Sequence, residues 1–249
     1  MPFAPFVVEV NVRQIVAPLL LALLLTACGR PAEPTPVPTP TPTPREISAA
    51  VGRATQASQS VHFVIELTGA PVAIDAGGLT VLNRMEGDLA RPDGVLAVLN
   101  VTLGGAVAEL RTVSLGGQQF LTNPITREWQ CLAPGVAFDP AVLFAPDRGI
   151  EFLLQEGFDE IALVGVEDLD GRPHYHLRGT IAGEKLQPIS GGLVGAGSVA
   201  VELWADQASM RASRIVLTDA APDGQEPTTW TITFSDYDKA VDVRAPVVC

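Results

Sequence analysis

The spacing of apolar side chains divides the chain into stretches of different character. An apolar run, Ile15–Leu25, stands near the N-terminus, and alternating proline and threonine fill Pro31–Pro44. Next, Ile47, Ala50, Val51, Ala54, Ala57 and Val61 recur at helical spacing, which predicts a short amphipathic helix over 47–61. From Val61 the period drops to two. Val61, Phe63, Ile65 and Leu67 alternate with His62, Glu66 and Thr68, the mark of a strand with two unlike faces. After a loop over Gly69–Gly78, further strands are predicted at Leu79–Leu89, Val95–Leu103, Ala106–Leu115, Gln118–Thr122 and Glu128–Leu132. They are separated by Arg91-Pro92-Asp93-Gly94, Gly104-Gly105, Gly116-Gly117 and Asn123-Pro124. Breaks of hairpin length join antiparallel neighbours, because a parallel crossover needs a dozen or more residues.

The middle of the chain differs. Phe138–Phe144 and Arg148–Glu156 hold clustered apolar residues and predict two short helices broken at Pro146. Strands resume at Glu160–Glu167 and Arg172–Ala182, followed by a helix at Glu184–Ile189 and a glycine-rich loop at Gly191–Gly197. Ser198–Asp206, Met210–Thr218 and Thr228–Tyr237 complete the strands, with an extended piece at Val241–Val247. A long antiparallel meander with a few inserted helices is an α+β domain, a sheet with helices packed on one face.

The N-terminal run is too short to span a bilayer, which takes about 20 apolar residues, and it ends in small residues as a signal peptide does. Leu25-Thr26-Ala27-Cys28 resembles the lipobox of bacterial lipoproteins, where the cysteine receives a diacylglyceryl group and becomes the first residue of the mature chain. The expected organisation is a signal peptide over 1–27, an acylated Cys28 with a Pro/Thr-rich stalk over 28–45, and one domain over 46–249. Alternating proline stiffens into polyproline II, so at about 3.1 Å per residue the stalk reaches about 40 Å. The expected location is the extracytoplasmic face of a cell membrane, at the cell surface or in the periplasm.

The net charge of −12 argues against nucleic acid, whose phosphates require a basic face. Of the 3 cysteines, Cys28 belongs to the lipobox. Cys131 and Cys249 form either a disulfide or two free thiols, and their spacing does not decide between them.

Catalytic constellations are weak. His174 and His176 flank Tyr175 on a strand, so both imidazoles share a face, with Asp168 and Asp170 in the turn before them. A metal site takes three or four such ligands, and the remaining histidine, His62, is distant in sequence. The pair reads as a solvated strand face. No Gly-x-Ser-x-Gly elbow is present, and Gly191–Gly195 matches no phosphate-binding loop. The chain is therefore expected to be no enzyme and to hold no metal or cofactor. Val95–Leu103 is apolar on both faces, and the domain is rich in small aliphatic residues. That pattern fits an ordinary packed core or an apolar cavity between sheet and helices, and the packed core is the commoner of the two.

An ordered series of segments resembles the LppX/LprG group of bacterial lipoproteins, related in fold to LolA. The segments are Ala54–Phe63, Glu86–Asp93, Phe120–Trp129 running into Phe138–Phe144, Val201–Asp206, and Phe234–Lys239 with Ala245-Pro246. The resemblance implies a strongly curved antiparallel half-barrel with helices over its concave face, enclosing an apolar cavity. It also implies a surface-tethered protein that binds an acylated lipid or glycolipid and carries or presents it across the envelope. The alternative is an envelope sensor or scaffold that binds a partner protein through the same half-barrel. On this resemblance the cavity-lining positions are Phe63, Ile65, Leu67, Val81, Leu99, Val101 and Leu110 on strands, with Leu143, Phe144, Phe152 and Leu153 on the helical cover.

Overall fold

The structure is a computed structural model that describes residues 42–75, 77–133, 135–220 and 226–249. The expected signal segment, Cys28 and the stalk as far as residue 41 lie outside the described residues.

Helix α1 (Pro44–Gln56) begins where the proline–threonine tract ends. The Thr43 hydroxyl accepts from the Glu46 amide at 3.3 Å, and the Glu46 carboxylate accepts from the Thr43 amide at 2.7 Å. This reciprocal box satisfies amides that the first turn leaves without partners. Pro44 sits in that first turn, where a missing N–H costs nothing. The helix starts and stops earlier than the periodicity predicts, because Ser60 already pairs with Ala90 in the sheet.

The strands are β1 (Ser60–Gly69), β2 (Val72–Ala73), β3 (Thr80–Ala90), β4 (Gly94–Leu103), β5 (Ala106–Leu115), β6 (Gln118–Thr122), β7 (Trp129–Leu132), β8 (Glu160–Leu169), β9 (Arg172–Ala182), β10 (Ser198–Asp206), β11 (Ala212–Asp219) and β12 (Thr228–Ser235). They form one 12-stranded antiparallel sheet in the order β7-β6-β5-β4-β3-β1-β12-β11-β10-β9-β8, with β2 beside β3. The sheet is open, with β7 and β8 at its edges. Two meanders, β3 to β7 and β8 to β12, meet at β1, which pairs with β3 on one side and β12 on the other.

Three local features depart from the expected pattern. The loop after β1 contains β2, which pairs with β3 at Val72↔Leu82 and Ala73↔Val81. Met210 adopts a positive φ of 55°, so β11 starts at Ala212. The expected extended piece at 241–247 joins no ladder. Instead the tail follows the strand ends, where the Asp238 amide donates to the Ser60 carbonyl at 3.0 Å and Val243 lies against Gly94. The tail ends in a disulfide between Cys249 and Cys131 on β7, with Cα atoms 5.9 Å apart.

The cover consists of α1, a 3₁₀ turn (Pro140–Phe144), α2 (Ile150–Phe152) running into a π turn (Leu153–Gly157), and α3 (Gly183–Ser190). Ser48 of α1 donates to the Leu154 carbonyl at 2.6 Å. Gly52 lets the two segments meet, since a Cβ there would lie 2.5 Å from the Glu151 carbonyl oxygen. Sheet and cover share one apolar core. Among the described residues no helix is long and apolar enough to cross a membrane.

Candidate functional site

Between sheet and cover lies an apolar hollow of about 60 Å³. Six adjacent strands contribute to its wall: Leu82 and Met85 from β3, Ile65 from β1, Trp230 and Ile232 from β12, Ile215 and Leu217 from β11, Val201 from β10 and Ile181 from β9. Six strands laid flat would span about 24 Å at the usual inter-strand spacing. For all six to border one small hollow, the sheet must curl around it. The roof comes from Leu143, Ile150, Leu153, Leu154, Leu186 and Ile189 of the cover and from Leu193 and Val194 of the following loop. Ser190 is the single polar side chain in the wall, apart from the Trp230 indole.

Of the expected lining positions, Ile65, Leu143 and Leu153 border the hollow. Phe63, Leu99, Val101, Leu110 and Phe144 are buried in the surrounding core and do not line it, with the Phe63 and Phe144 rings 5.1 Å apart. Leu67 and Val81 are half-buried. Val81 loses its inward position to a register shift between Leu82 and Arg84, which turns Leu82 inward instead. Phe152 is 36% exposed, because the inward stripe of its helix is Ile150, Leu153 and Leu154, at positions i, i+3 and i+4. The lining contributed by β9 to β12 was missed. Its signal was present in the two-residue alternation of Val199, Val201 and Leu203, and of Ile215 and Leu217.

One ion pair sits under the cover. Arg91, at the end of β3, donates to Glu151 of α2 at 2.7 Å, and the Glu151 side chain is 1% exposed. Burial pushes the Glu151 carboxyl above the usual carboxylate range, against the pull of Arg91. Its second oxygen, Oε2, has no hydrogen-bond partner among the described residues.

The histidine pair is buried on the sheet's other face, which corrects the expectation of a solvated strand. The register sets Trp204 opposite His176, and the rings stack at 4.3 Å. The His176 nitrogens lie 2.8 Å from Glu167 and 3.0 Å from Glu202. The Trp204 indole N–H and then His176, as hydrogen-bond partners, hold the Glu167 carboxyl below its usual range. His174 lies 2.8 Å from the Ser213 hydroxyl and 2.8 Å from the Arg172 carbonyl. Neither histidine borders the hollow. Among the described residues no group of three or more His, Cys, Asp or Glu side chains is arranged to hold a metal ion.

An open half-barrel, roofed by short helices over an apolar interior, is the class of fold that these features define. The chain belongs to the LppX_LprAFG lipoprotein family, whose model matches residues 43–243. It is similar to the crystal structure of LprF from Mycobacterium bovis, at 18% identity and a TM-score of 0.62, covering 83% of this chain and 100% of that one. It is also similar to the lipoprotein LppX from Mycobacterium tuberculosis, at 18% identity and a TM-score of 0.57, covering 80% of this chain and 97% of that one. At these identities the likeness is one of fold. A LolA-superfamily protein from Nitrosomonas europaea aligns over 82% of this chain and 96% of its own at 14% identity, with a TM-score of 0.32. A search of curated proteins finds no match.

Proposed function

We propose that this protein is an envelope lipoprotein, tethered through Cys28, that binds the acyl portion of a lipid between its sheet and its helical cover and carries or presents it outside the cytoplasm. The observation that carries this reading is the wall of the hollow, which is apolar but for Ser190 and the Trp230 indole and is drawn from six strands and from the 3₁₀ turn, α2 with its π turn, and α3 of the cover. Membership of a lipoprotein family supports it. Each methylene that leaves water for such a wall gains about 0.8 kcal/mol, so a chain of ordinary length is held firmly without polar contacts. The hollow is smaller than the ~150 Å³ apolar cavity that accepts benzene. Loading therefore requires the cover to move outward, and the short 3₁₀ and π turns that break it into segments suit that movement. No bond is made or broken in this activity, and the reading assigns no catalytic residue.

The test is native mass spectrometry of residues 42–249, produced in a lipid-rich host without detergent and then extracted with solvent. A discrete excess mass that extraction removes, with acyl lipid in the extract, is the expected result. A bare polypeptide mass that added lipid does not change would overturn the reading.

A further inference from the structure

Two larger hollows open beside the interior one. The first, about 450 Å³, is bordered by Ile74, Gln119, Val136, Asp139 and Pro188 among others. The second, about 590 Å³, is bordered by Val72, Gly195, Asp219 and Glu226 among others. Leu193 borders both of them and the interior hollow as well. Leu193 is the side chain common to all three, with Phe138 and Ser190 also standing between the first outer hollow and the interior.

The loop that carries Leu193 is fastened at both ends. At one end the Gly192 amide donates to the Gln187 carbonyl at 3.1 Å and the Leu193 amide to the Ser190 carbonyl at 3.2 Å. There Gly191 and Gly192 have φ of 64° and 83°, and a Cβ on Gly192 would touch nothing within 4 Å. At the other end the Gly195 amide donates to the Asp219 carboxylate at 2.7 Å, and the Gly183 amide donates to the Gly197 carbonyl at 2.6 Å. A Cβ on Gly183 would lie 1.9 Å from the Gly195 carbonyl oxygen, so this end is in tight contact. The loop is therefore held at both ends, and the two positive-φ glycines, with open space beside Gly192, are where it can turn once the Gly195–Gly197 contacts open.

The charge around this mouth has one sign. Neither outer hollow is lined by a lysine or arginine among the described residues, whereas Asp139, Asp219 and Glu226 line them. Residues 54–83, 128–147, 186–210 and 215–238, which supply nearly all of both rims, contain no lysine or arginine at all. A phosphate or carboxylate placed there meets only like charge.

We propose that the Gly191–Gly197 loop is the entry gate of the cavity, with Leu193 as its plug and Asp219 as its latch, and that the mouth selects an acyl lipid whose headgroup carries no phosphate or carboxylate. This rests on the lipid-binding reading above. An uncharged, hydroxyl-rich headgroup finds Gln119, Ser190 and Gly191 at the mouth and carries no charge for the acidic rim to repel. Its acyl chains pass the displaced Leu193 into the interior.

The test uses residues 42–249, which form a compact unit with its own core. Two diacyl lipids with identical chains are offered in mixed micelles, one with a single galactose as headgroup and one with phosphatidylglycerol, and loading is followed by native mass spectrometry. The galactolipid is expected to load about tenfold more than the anionic lipid at equal concentration. A Gly195→Cys/Asp219→Cys variant, oxidised across the latch, is expected to load neither lipid until it is reduced. Wild type given the same reductant serves as the control. Asp219→Ala, which only unfastens the loop, is expected to load severalfold faster to the same final stoichiometry. Equal loading of the two lipids would overturn the headgroup selection and leave the lipid-binding reading standing. Unimpeded loading of the oxidised variant, or an unchanged rate in Asp219→Ala, would overturn the gate. Failure of wild type to load either lipid would overturn the lipid-binding reading, and the gate with it.

Discussion

Arg91 Nη2 lies 2.7 Å from Glu151 Oε1, and this pair ties the turn between β3 and β4 to the first residues of α2. The link joins sheet to cover at a point where almost no water reaches the carboxylate. Removing one member leaves the other buried without a counter-charge, which costs about 3–5 kcal/mol for pairs of this kind. Arg91→Met is therefore expected to destabilise the domain strongly at neutral pH in urea unfolding.

The same pair gives a pH dependence with a definite sign. Burial raises the folded-state pKa of Glu151 above its unfolded value near 4.5. The stability this group contributes is complete below the unfolded value and is lost as pH rises through the folded one. Relative to Glu151→Gln, wild type is expected to lose stability as pH rises from the carboxylate range towards neutrality. The deficit of Arg91→Met should shrink as pH falls and Glu151 takes up a proton. A deficit independent of pH would show that Arg91 acts through its contact with the Ser58 carbonyl, 2.9 Å from Nε, and not through the carboxylate.

Gly52 is the contact point between α1 and α2. An alanine there improves helix propensity by up to about 1 kcal/mol but drives a methyl group into the Glu151 carbonyl and the Gln155 side chain. Overpacking of this kind costs about 1–3 kcal/mol, so Gly52→Ala is expected to lower the urea midpoint with an unchanged m-value.

Filling the hollow should weaken loading without abolishing the fold. Ile65→Phe or Ile215→Phe adds about three carbons to the wall and displaces a similar length of ligand chain, an effect of ~2 kcal/mol or about thirtyfold in affinity. Val101→Phe enlarges a core position that does not border the hollow. It should change stability and leave the affinity of the folded fraction alone, as lipid titrations at matched folded concentration would show.

The disulfide holds the C-terminal tail along the strand ends, from the centre of the sheet to its β7 edge. Its partners are 118 residues apart in sequence. Cross-links that close loops of such length stabilise by about 4–5 kcal/mol in the chain-entropy model. Cys131→Ser/Cys249→Ser is expected to lose much of that in urea unfolding. It should also show faster amide exchange at Asp238, whose bond to Ser60 anchors the tail.

The period of the apolar residues was enough to place most of the strands, because alternation is a local consequence of the pleat and hairpin-length breaks force antiparallel neighbours. The ordered family segments were equally legible, whereas the Thr43/Glu46 cap that starts α1 at Pro44 was not drawn from the apolar period. Contacts between distant stretches were not. That β1 pairs with β12, that the sheet stays open, and that six strands share one hollow follow from long-range pairing and curl, which no local period encodes. A single register shift beside Asn83 moved the inward position from Val81 to Leu82. The histidines were correctly placed on one face, yet the covering of His176 depended on Trp204, brought across from a neighbouring strand. Sequence alone determined most of the elements and the family. The tertiary structure decided which apolar side chains face a cavity and which face each other, because that choice rests on curvature and on the cover's packing, where residues distant in the chain compete for the same space.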